Sequence, residues 1–189
     1  MLSVIIATLD SERALVSTLA ALVPGATEGL VSEVLIADGG SRDDTAAVAD
    51  VAGCKFLAVE GSQGSQLSAA AATARAPWLM FLRPGTVLDT LWTGETRRFV
   101  EQRFGGAVGA AAVFRRGAPA QSALRDAMLL AAAAIGARPR PEQGLIISKQ
   151  FYLALGGHSE TAADPETDLI RRIGRRRIAR LSTSAFTAA

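Results

Sequence analysis

The sequence predicts an α/β fold in which a mostly parallel sheet carries helices on both faces. Short apolar runs that are typical of buried strands alternate with helical patterns through the first half of the chain. A strand–helix–strand repeat of this kind requires crossover helices, which favours parallel pairing. The 189 residues, of which 49% are hydrophobic and 20% charged, suffice for one globular domain with its own core.

Apolar runs predict four strands in the first half of the chain. They cover Leu2–Ala7, Val34–Ala37, Lys55–Val59 and Trp78–Leu82. The first helix follows Asp10 or Ser11, either of which can cap it. We expect this helix to end at Pro24-Gly25, because proline and glycine both disfavour a continuing helix.

Capping patterns place the next two helices. Ser41 with Asp44 resembles a capping box at the start of the second helix, and Gly53 suits its C-terminal end. The alanine-rich stretch Gln66–Arg75 favours a third helix. The second half of the chain is less regular; it predicts helices at Asp89–Gln102, Gln121–Ile135, Gln150–Leu155 and Glu166–Ile173, and strands at Ala107–Phe114, Leu145–Ser148 and Ile178–Thr183.

Six arginines near the C-terminal end give the chain its basic character. They are Arg171, Arg172, Arg175, Arg176, Arg177 and Arg180. Without them the chain, whose formal net charge is +2, would be mildly acidic. A solvated helix face followed by a strand is the simplest interpretation, and an anionic membrane surface, a phosphorylated acceptor or a protein partner is the alternative. Nucleic acid is disfavoured as a partner, because no aromatic residues interleave with the arginines.

The N-terminal sequence and the cysteine content bear on the compartment. No Lys or Arg precedes the first apolar run and no small-residue cleavage site follows it, so no signal peptide is predicted. The single cysteine, Cys54, cannot form an internal disulfide, which fits a reducing compartment. We therefore expect a cytoplasmic protein, peripheral at the inner membrane face if the arginines contact lipid.

The stretch "VLIADGGSRDDT" ends a predicted strand in Asp38 and continues with Gly39 and Gly40. In a parallel sheet, ligands bind outside the carboxyl ends of the strands, where a carboxylate can accept hydrogen bonds from a base or a ribose. The glycines let the backbone turn sharply beside such a ligand. A turn in which Asp38 caps its own backbone explains these residues equally well. A dinucleotide-binding enzyme is disfavoured, since "TLDSE" follows the first strand without the glycine fingerprint, and no P-loop sequence occurs.

Four blocks of the sequence resemble the family-2 glycosyltransferases, in particular a short bacterial subgroup of nucleotide-diphosphosugar transferases. The blocks are "SVIIATLDSE", "EVLIADGGSRDDT", "WLMFLRPGT" and "GGHSE…DPETDLIRRIG", and they extend over nearly the whole chain. The resemblance implies a GT-A fold, with a Rossmann-like nucleotide-binding half over residues 1–88 and an acceptor-binding half over residues 89–189. It also implies transfer of a sugar from a UDP- or GDP-sugar with inversion, assisted by Mg²⁺ or Mn²⁺.

By this resemblance, the carboxyl ends of the first two strands bind the nucleotide. Ala7, Thr8, Asp10 and Glu12 occupy the block that touches it in the family, with Thr8 near the base and Glu12 near the ribose or a neighbouring backbone group. Asp38 matches the carboxylate that holds a uracil base.

Glycines and amides complete the predicted donor site. Gly39 would give the base access to the backbone. Gly64 and Gln66 belong to the stretch Glu60–Ser68, which offers N–H and side-chain donors to the diphosphate but contains no Lys or Arg. In the family this turn is rich in glycine and arginine and neutralises the diphosphate; here the nearest basic residues in sequence are Arg75 and Arg83.

The loop after the fourth strand departs further from the family. The sequence "FLRPGT" places Arg83, Pro84 and Gly85 where the family has a metal-binding carboxylate, so we assign no metal ligand. Either Arg83 replaces the metal as the charge that stabilises the leaving diphosphate, or the site no longer does chemistry. An ordinary surface arginine is the simplest interpretation.

The catalytic base is predicted near the last helix. An inverting transferase requires a carboxylate that takes the proton of the acceptor hydroxyl. Aligning Arg171-Arg172 with an arginine pair of the family gives Glu166 as this base, with Asp164 and Asp168 as further candidates. These acids could instead simply start a helix, because proline and acidic residues are both favoured there.

The acceptor side is assigned by two further blocks. Glu142 and Gln143, in "PEQGLIIS", match an acceptor-side motif of the family. His158 follows Gly156-Gly157 where the family has an aromatic residue, so it could stack on an acceptor sugar or simply pack in a loop. It is the only histidine, and no second histidine or cysteine partner is available for a zinc site with it.

Two functions therefore compete. The resemblance implies a glycosyltransferase that moves a sugar from a nucleotide-diphosphosugar to an acceptor with inversion. The alternative is a catalytically degenerate homologue that binds a nucleotide or a protein, which the missing cations of residues 60–68 and the missing carboxylate at Gly85 favour.

Overall fold

The computed structural model describes residues 1–103, 109–117 and 139–188. Its strands are β1 (Leu2–Thr8), β2 (Val31–Asp38), β3 (Lys55–Ala58), β4 (Trp78–Leu82), β5 (Thr86–Leu88), β6 (Ala111–Arg116), β7 (Leu145–Ser148) and β8 (Ile178–Thr187). Its helices are α1 (Glu12–Thr27), α2 (Thr45–Val51), α3 (Gln63–Thr73), α4 (Trp92–Arg103), α5 (Lys149–Ala154) and α6 (Pro165–Ile173). Short 3₁₀ turns lie at Pro141–Gln143 and Arg175–Arg177.

These strands form one sheet in the order β3-β2-β1-β4-β7-β6-β8-β5. β1 pairs in parallel with both β2 and β4, and β2 pairs in parallel with β3. β7 runs antiparallel between β4 and β6, β8 is parallel to β6, and β5 is antiparallel to β8 at the edge. The predicted mostly parallel sheet is confirmed, and its antiparallel pairs lie on the far side of β4.

Helices cover both faces of the sheet, as predicted. Successive side chains of a strand point to opposite faces. Ile6 of β1 belongs to the core cluster that contains Leu15 of α1 and Trp92 of α4. Ile5 belongs to the other cluster, which contains Leu67 of α3 and Leu169 of α6. The sheet therefore separates two apolar layers, and the carboxyl ends of its parallel strands meet at one edge.

The prediction that α1 ends at Pro24-Gly25 is wrong, since the helix continues to Thr27. The N–H of Glu28 donates to the carbonyl of Pro24 at 3.0 Å, which closes the last turn. Gly25 lies against Trp92, whose ring would be 2.5 Å from a Cβ at this position. The indole N–H of Trp92 also donates to the carbonyl of Ala21 at 3.1 Å. Packing of α4 on this turn therefore outweighs the helix-breaking tendency of the proline.

The predicted capping box of the second helix is also wrong. α2 begins at Thr45, with Asp44 at the N-cap position and no side-chain capping bond. The hydroxyl of Ser41 instead donates to the carboxylate of Asp38. Gly53 does close the helix as predicted, with a φ of 68° and its N–H donated to the carbonyl of Asp50 at 2.9 Å.

The remaining predicted elements agree with the structure to within a few residues, with three exceptions. β5 was not predicted. The predicted helix Gln121–Ile135 lies outside the described residues, and so does the start of the predicted strand Ala107–Phe114, which is described from Ala111 onward. The division of the chain at residue 88 stays a prediction. None of the helices in the described ranges is sufficiently long and apolar to cross a membrane.

One carboxylate ties α4 to β8. Glu95 accepts hydrogen bonds from the N–H and the hydroxyl of both Ser182 and Thr183, at 2.6 to 2.7 Å. Burial raises the pKa of Glu95, but the four hydrogen bonds outweigh this effect and bring the pKa to about 2. The ionised carboxylate therefore contributes to holding the second half of the sheet against α4.

Candidate functional site

Asp38 lies at the carboxyl end of β2 beside Thr8 of β1, and is only 3% exposed. The hydroxyls of Thr8 and Ser41 both donate to its Oδ1. The N–H groups of Gly40 and Ser41 donate to Oδ2 at 2.9 and 2.8 Å. Burial raises the pKa of Asp38, but these bonds outweigh it and hold the pKa below its usual value. A carboxylate has about four acceptor positions, so Asp38 is fully engaged by Thr8 and its own turn.

The loops after β1 and β2 hold each other. Asp10, in the left-handed region with a φ of 47°, accepts the N–H of Arg42 at 2.7 Å and donates its own N–H to the hydroxyl of Ser41 at 2.9 Å. The N–H of Glu12 donates to the carboxylate of Asp43 at 2.9 Å. The structure thus brings the predicted nucleotide-binding residues of both strands to one edge, in a loop pair that is already braced.

The space beside two predicted donor-site glycines is filled by the protein. A Cβ on Gly39 would lie 2.1 Å from Nε2 of Gln66, whose side chain is buried. A Cβ on Gly64 would lie 2.1 Å from the backbone carbonyl oxygen of Ser159. Ala7 is buried in the core on the α3 side of the sheet. Gly39 and Gly64 therefore permit close packing between segments, which their assignment to a ligand site did not anticipate.

Arg83 follows β4 and lies among three carboxylates from distant parts of the chain. Its Nε donates to Oε2 of Glu166 at 2.5 Å, and its Nη1 donates to Oε1 of Glu142 at 3.2 Å. Nη2 lies 3.6 Å from Oδ1 of Asp164. The amide of Gln63 also donates to Oε2 of Glu166, at 3.4 Å. We call Arg83, Glu142, Asp164 and Glu166 the Arg83 cluster; it joins residues predicted for the diphosphate, the acceptor and the base.

Glu166 is the buried member of the Arg83 cluster, with 5% of its surface exposed. Burial raises its pKa more than the attraction of Arg83 lowers it, and the neighbouring carboxylates of Asp164 and Glu142 raise it further. Burial lowers the pKa of Arg83, but the same three carboxylates raise it above its usual value, so Arg83 stays charged. A carboxylate with a raised pKa beside a cation is suited to general-base chemistry.

Asp164 has a structural role besides its place in the cluster. It is the N-cap of α6, where its carboxylate accepts the N–H of Thr167 at 3.0 Å and the hydroxyl of Thr167 at 2.7 Å. Pro165 occupies the first helical position. The interpretation of these acids as a helix start is therefore correct for Asp164, and it leaves Glu166 free to point into the cluster.

Asp168 lies outside the Arg83 cluster, on the next turn of α6. It pairs with Arg171 at 2.6 Å and with Arg172 at 2.8 Å. Arg172 also donates to the carbonyls of Leu155 and Gly157 at 2.6 and 2.7 Å. Asp168 thus fixes an arginine that holds the turn after α5, and both Arg171 and Arg172 are engaged within the protein.

His158 packs in the core beneath this turn, and only 3% of it is exposed. Its Nδ1 lies 3.0 Å from the hydroxyl of Tyr152, and its ring meets that of Phe81 edge to face at 4.7 Å between centroids. Burial, aided by the charge of Arg172, lowers its pKa to about 3. The loop-packing interpretation of this histidine is therefore favoured over stacking on an acceptor sugar.

The 3₁₀ turn at Pro141–Gln143 divides the other two acceptor-side residues. Gln143 is buried; its Nε2 donates to the carbonyl of Phe114 at 2.6 Å and its Oε1 accepts the N–H of Arg140 at 2.9 Å. Glu142 turns the other way, to Arg83, and is 44% exposed. Glu142 thus lies where a ligand can reach it, whereas Gln143 shapes the turn that presents it.

The end of β4 carries an arginine among its carboxylates. Among the described residues, no group of three or more His, Cys, Asp or Glu side chains is arranged to hold a metal ion. The carboxylates that converge there surround the guanidinium of Arg83, whose charge repels a cation. The positive charge of this site is that of an arginine.

Two contributors were missed by the sequence reasoning. Ser41 was assigned to a helix cap, although its spacing after Asp38 is typical of an Asx turn, and this signal could have placed it correctly. Gln63 contacts a residue 103 positions away, and no local pattern points to that contact.

No family model and no curated protein matches the sequence, but solved structures match the fold. Glucosyl-3-phosphoglycerate synthase (GpgS) from Mycobacterium tuberculosis, in complex with Mn²⁺, UDP and glucosyl-3-phosphoglycerate, matches with a TM-score of 0.69 and 19% identity over 100% of this chain and 72% of that chain. The same enzyme with Mn²⁺, UDP-glucose and glycerol 3-phosphate matches with a TM-score of 0.67 and 19% identity, over 96% of this chain and 69% of that chain. TarS 1–349 from S. aureus matches with a TM-score of 0.76 and 16% identity, over 99% of this chain and 60% of that chain.

At these identities the similarity establishes the architecture and leaves the chemistry open. The matches extend over essentially the whole chain, with 60% to 72% of the three matched chains covered. The sheet order and the helices on both faces agree with the fold that the sequence blocks implied. This chain therefore has the GT-A glycosyltransferase fold.

Proposed function

We propose that this protein transfers a sugar from a UDP-sugar to an acceptor hydroxyl, with inversion at the anomeric carbon. The observation that carries the proposal is the Arg83 cluster, in which a cation and a buried carboxylate meet at the carboxyl end of β4 from positions 83 residues apart. The two GpgS structures described above hold UDP and UDP-glucose, which supports a uridine donor.

Glu166 is the base of the proposed reaction. It takes the proton of the acceptor hydroxyl, whose oxygen forms a new bond to the anomeric carbon from the face opposite the diphosphate. The bond between that carbon and the diphosphate oxygen breaks, and its electron pair leaves on UDP. A pKa raised by burial makes Glu166 a stronger base than an exposed glutamate.

Arg83 is the proposed electrostatic partner of the leaving group. A guanidinium presents planar N–H donors that match phosphate oxygens, and its charge stabilises the negative charge that develops on UDP. It stands where the family has a metal ligand, so the proposed reaction places a side-chain cation in the role of the metal.

The charges of the Arg83 cluster also favour one class of acceptor. Once Arg83 faces the diphosphate, Glu142, Asp164 and Glu166 remain around the acceptor position, and the first two are about half exposed. Carboxylates accept hydrogen bonds from hydroxyl groups and repel anions. We therefore propose a neutral polyol or sugar acceptor, unlike the glycerol 3-phosphate present in a GpgS structure.

Nucleotide binding is tested first, by thermal unfolding with a panel of nucleoside diphosphates. UDP at a hundredfold excess over its Kd stabilises the folded state by about 2.7 kcal/mol, which a shift in melting temperature reports. No shift with any nucleoside diphosphate would contradict the proposal.

Catalysis is tested by UDP release from a panel of UDP-sugars with neutral acceptors. Glu166→Gln should lower turnover by about 10² or more while UDP still binds, because the amide cannot take a proton. Glu160→Gln is the matched control, since Glu160 is an exposed glutamate a few residues earlier. Equal turnover in the two variants would remove Glu166 from the mechanism.

Nucleotide binding without catalysis is the second candidate function. The observation in its favour is that Arg83 and Glu166 neutralise each other in the Arg83 cluster, so each is engaged by the other rather than by a substrate. A clear UDP shift without turnover of any UDP-sugar would favour this function.

A further inference from the structure

The proposed reaction requires the guanidinium of Arg83 and the carboxylate of Glu166 at the same time, but in different places. Arg83 has to face the diphosphate, and Glu166 has to face the acceptor hydroxyl. In the structure they face each other, and all three nitrogens of the guanidinium are directed at carboxylates of the cluster. This arrangement is therefore not the reactive one.

The two partners differ in how freely they can rearrange. Glu166 is buried on the first turn of α6, which Asp164 caps and Pro165 starts, so its backbone is fixed. The Arg83 side chain is 33% exposed, and its two longer contacts, at 3.2 and 3.6 Å, are to carboxylates that are 44% and 49% exposed. The arginine is therefore the member that can move.

A diphosphate is a stronger partner for this arginine than a single carboxylate. It carries more negative charge, and its oxygens can accept two parallel N–H groups of the guanidinium. Residues 60–68, on the same side of the fold, contain no Lys or Arg that could neutralise the phosphates instead.

We propose that Arg83 acts as a donor-operated latch, which holds Glu166 in the free protein and passes to the diphosphate when the nucleotide sugar binds, so that the base is released only in the donor complex. This inference rests on the proposed function. After the exchange, Glu166 keeps the amide of Gln63 and the two repelling carboxylates of Asp164 and Glu142 as neighbours, an arrangement that increases its affinity for a proton. The acceptor therefore meets a competent base only after the donor is in place.

The latch predicts that a substitution of the base improves donor binding. In Glu166→Gln the principal partner of Arg83 is lost, so less free energy opposes its transfer to the phosphates. We expect UDP to bind about fivefold more tightly to Glu166→Gln than to the unchanged protein, as measured by calorimetry. Arg83→Met should bind UDP more weakly than the unchanged protein.

The double variant separates the latch from a simple charge effect. Removing a negative charge near the diphosphate would improve UDP binding whether or not Arg83 is present. If Arg83 acts as a latch, the gain in UDP affinity from Glu166→Gln disappears in the Arg83→Met background, because no arginine is left to pass from residue 166 to the diphosphate. A gain of the same size in that background would overturn the latch, and so would the absence of any gain in Glu166→Gln alone.

Two further variants complete the experiment. Arg75→Met is the matched control, because Arg75 forms an ion pair with Glu33, at 3.2 Å, and does not belong to the Arg83 cluster. The UDP affinity of this variant should not change. Glu142→Gln removes an exposed contact of Arg83 and should give a smaller gain, which keeps the test decisive if Glu166→Gln does not fold. Failure of UDP to bind any variant would remove the proposed function and the latch together, whereas binding without coupling would remove the latch alone.

Discussion

The buried His158 should make the stability of the protein depend on pH in a defined way. In the unfolded chain a histidine titrates near pH 6.5, whereas in the folded protein burial and Arg172 bring its pKa to about 3. Between these values the unfolded chain binds a proton that the folded protein does not. The contribution of His158 is therefore fully present above pH 6.5 and is lost as the pH falls toward 3.

The size of this loss of stability follows from how far the pH lies below the pKa of His158 in the unfolded chain. At pH 5 the penalty is about 1.5 pH units at about 1.4 kcal/mol each, which gives about 2 kcal/mol. Other groups titrate in this range as well, so a variant without the imidazole isolates the effect. The unfolding free energy of the unchanged protein, measured by urea unfolding, should fall by about 2 kcal/mol relative to that of His158→Phe from pH 7.5 to pH 5.

A spectroscopic measurement tests the same residue directly. His158 is the only histidine of the chain, so its imidazole signals are unambiguous in NMR spectra. They should stay constant between pH 8 and pH 4.5 in the folded protein, and titrate near pH 6.5 in urea. A midpoint near 6.5 in the folded protein would refute the reasoning, because it would mean that the ring is open to solvent.

Four other predictions concern the donor side, the sheet and the arginines. Asp38→Ala should lower the unfolding free energy by about 2–4 kcal/mol without any nucleotide, since four donors lose their acceptor; an unchanged urea midpoint would show that the turn does not depend on it. Glu95→Gln should cost about 1–2 kcal/mol at pH 7 after solvent screening, and the loss should vanish as the pH falls from 4.5 toward 2, while the exposed Glu101→Gln serves as the unaffected control. Mn²⁺ should improve UDP affinity less than tenfold over a chelator, about 1.4 kcal/mol, in calorimetry, and a larger gain would mean that the metal has a site after all. Sedimentation with anionic vesicles at low salt should be negligible if the arginines form a structural and solvated face, and salt-sensitive binding would contradict this.

The elements that could be predicted are those that neighbouring residues in the sequence determine. The strand bounds Trp78–Leu82 and Leu145–Ser148 agree with the structure, because each is an apolar run that starts after a proline or a glycine. β5 has three residues and forms by pairing with Thr187 and its neighbours, about a hundred positions away. The short stretch of sequence around β5 therefore does not predict it. Pro24 is likewise tolerated because of a contact between α1 and Trp92 that lies far along the chain.

The candidate site shows the same limit. The sequence and the resemblance singled out these residues separately: Arg83 in the loop after the fourth strand, Glu142 on the acceptor side, and Asp164 and Glu166 near the last helix. That the arginine contacts the proposed base is a fact of packing between β4 and α6, and no spacing pattern encodes it. The engagement of Asp38 was one of two equal interpretations of its turn, and only the geometry of its hydrogen bonds distinguishes them.

The contact at Gly64 has a consequence for anyone who wishes to redesign this protein. Gly64 lies under the carbonyl of Ser159, and the hydroxyl of Ser62 donates to the carbonyl of Glu160 at 2.7 Å, so the start of α3 is joined to the segment that leads into α6. A Cβ at position 64 would lie 2.1 Å from that carbonyl oxygen, so the segment would have to shift by roughly 1 Å, and a misplacement of this size can cost an enzyme about 10²-fold in rate. If the proposed function holds, a library aimed at new acceptors should therefore keep this glycine and vary Glu142, because the glycine sets the distance between α3 and the segment that leads into α6.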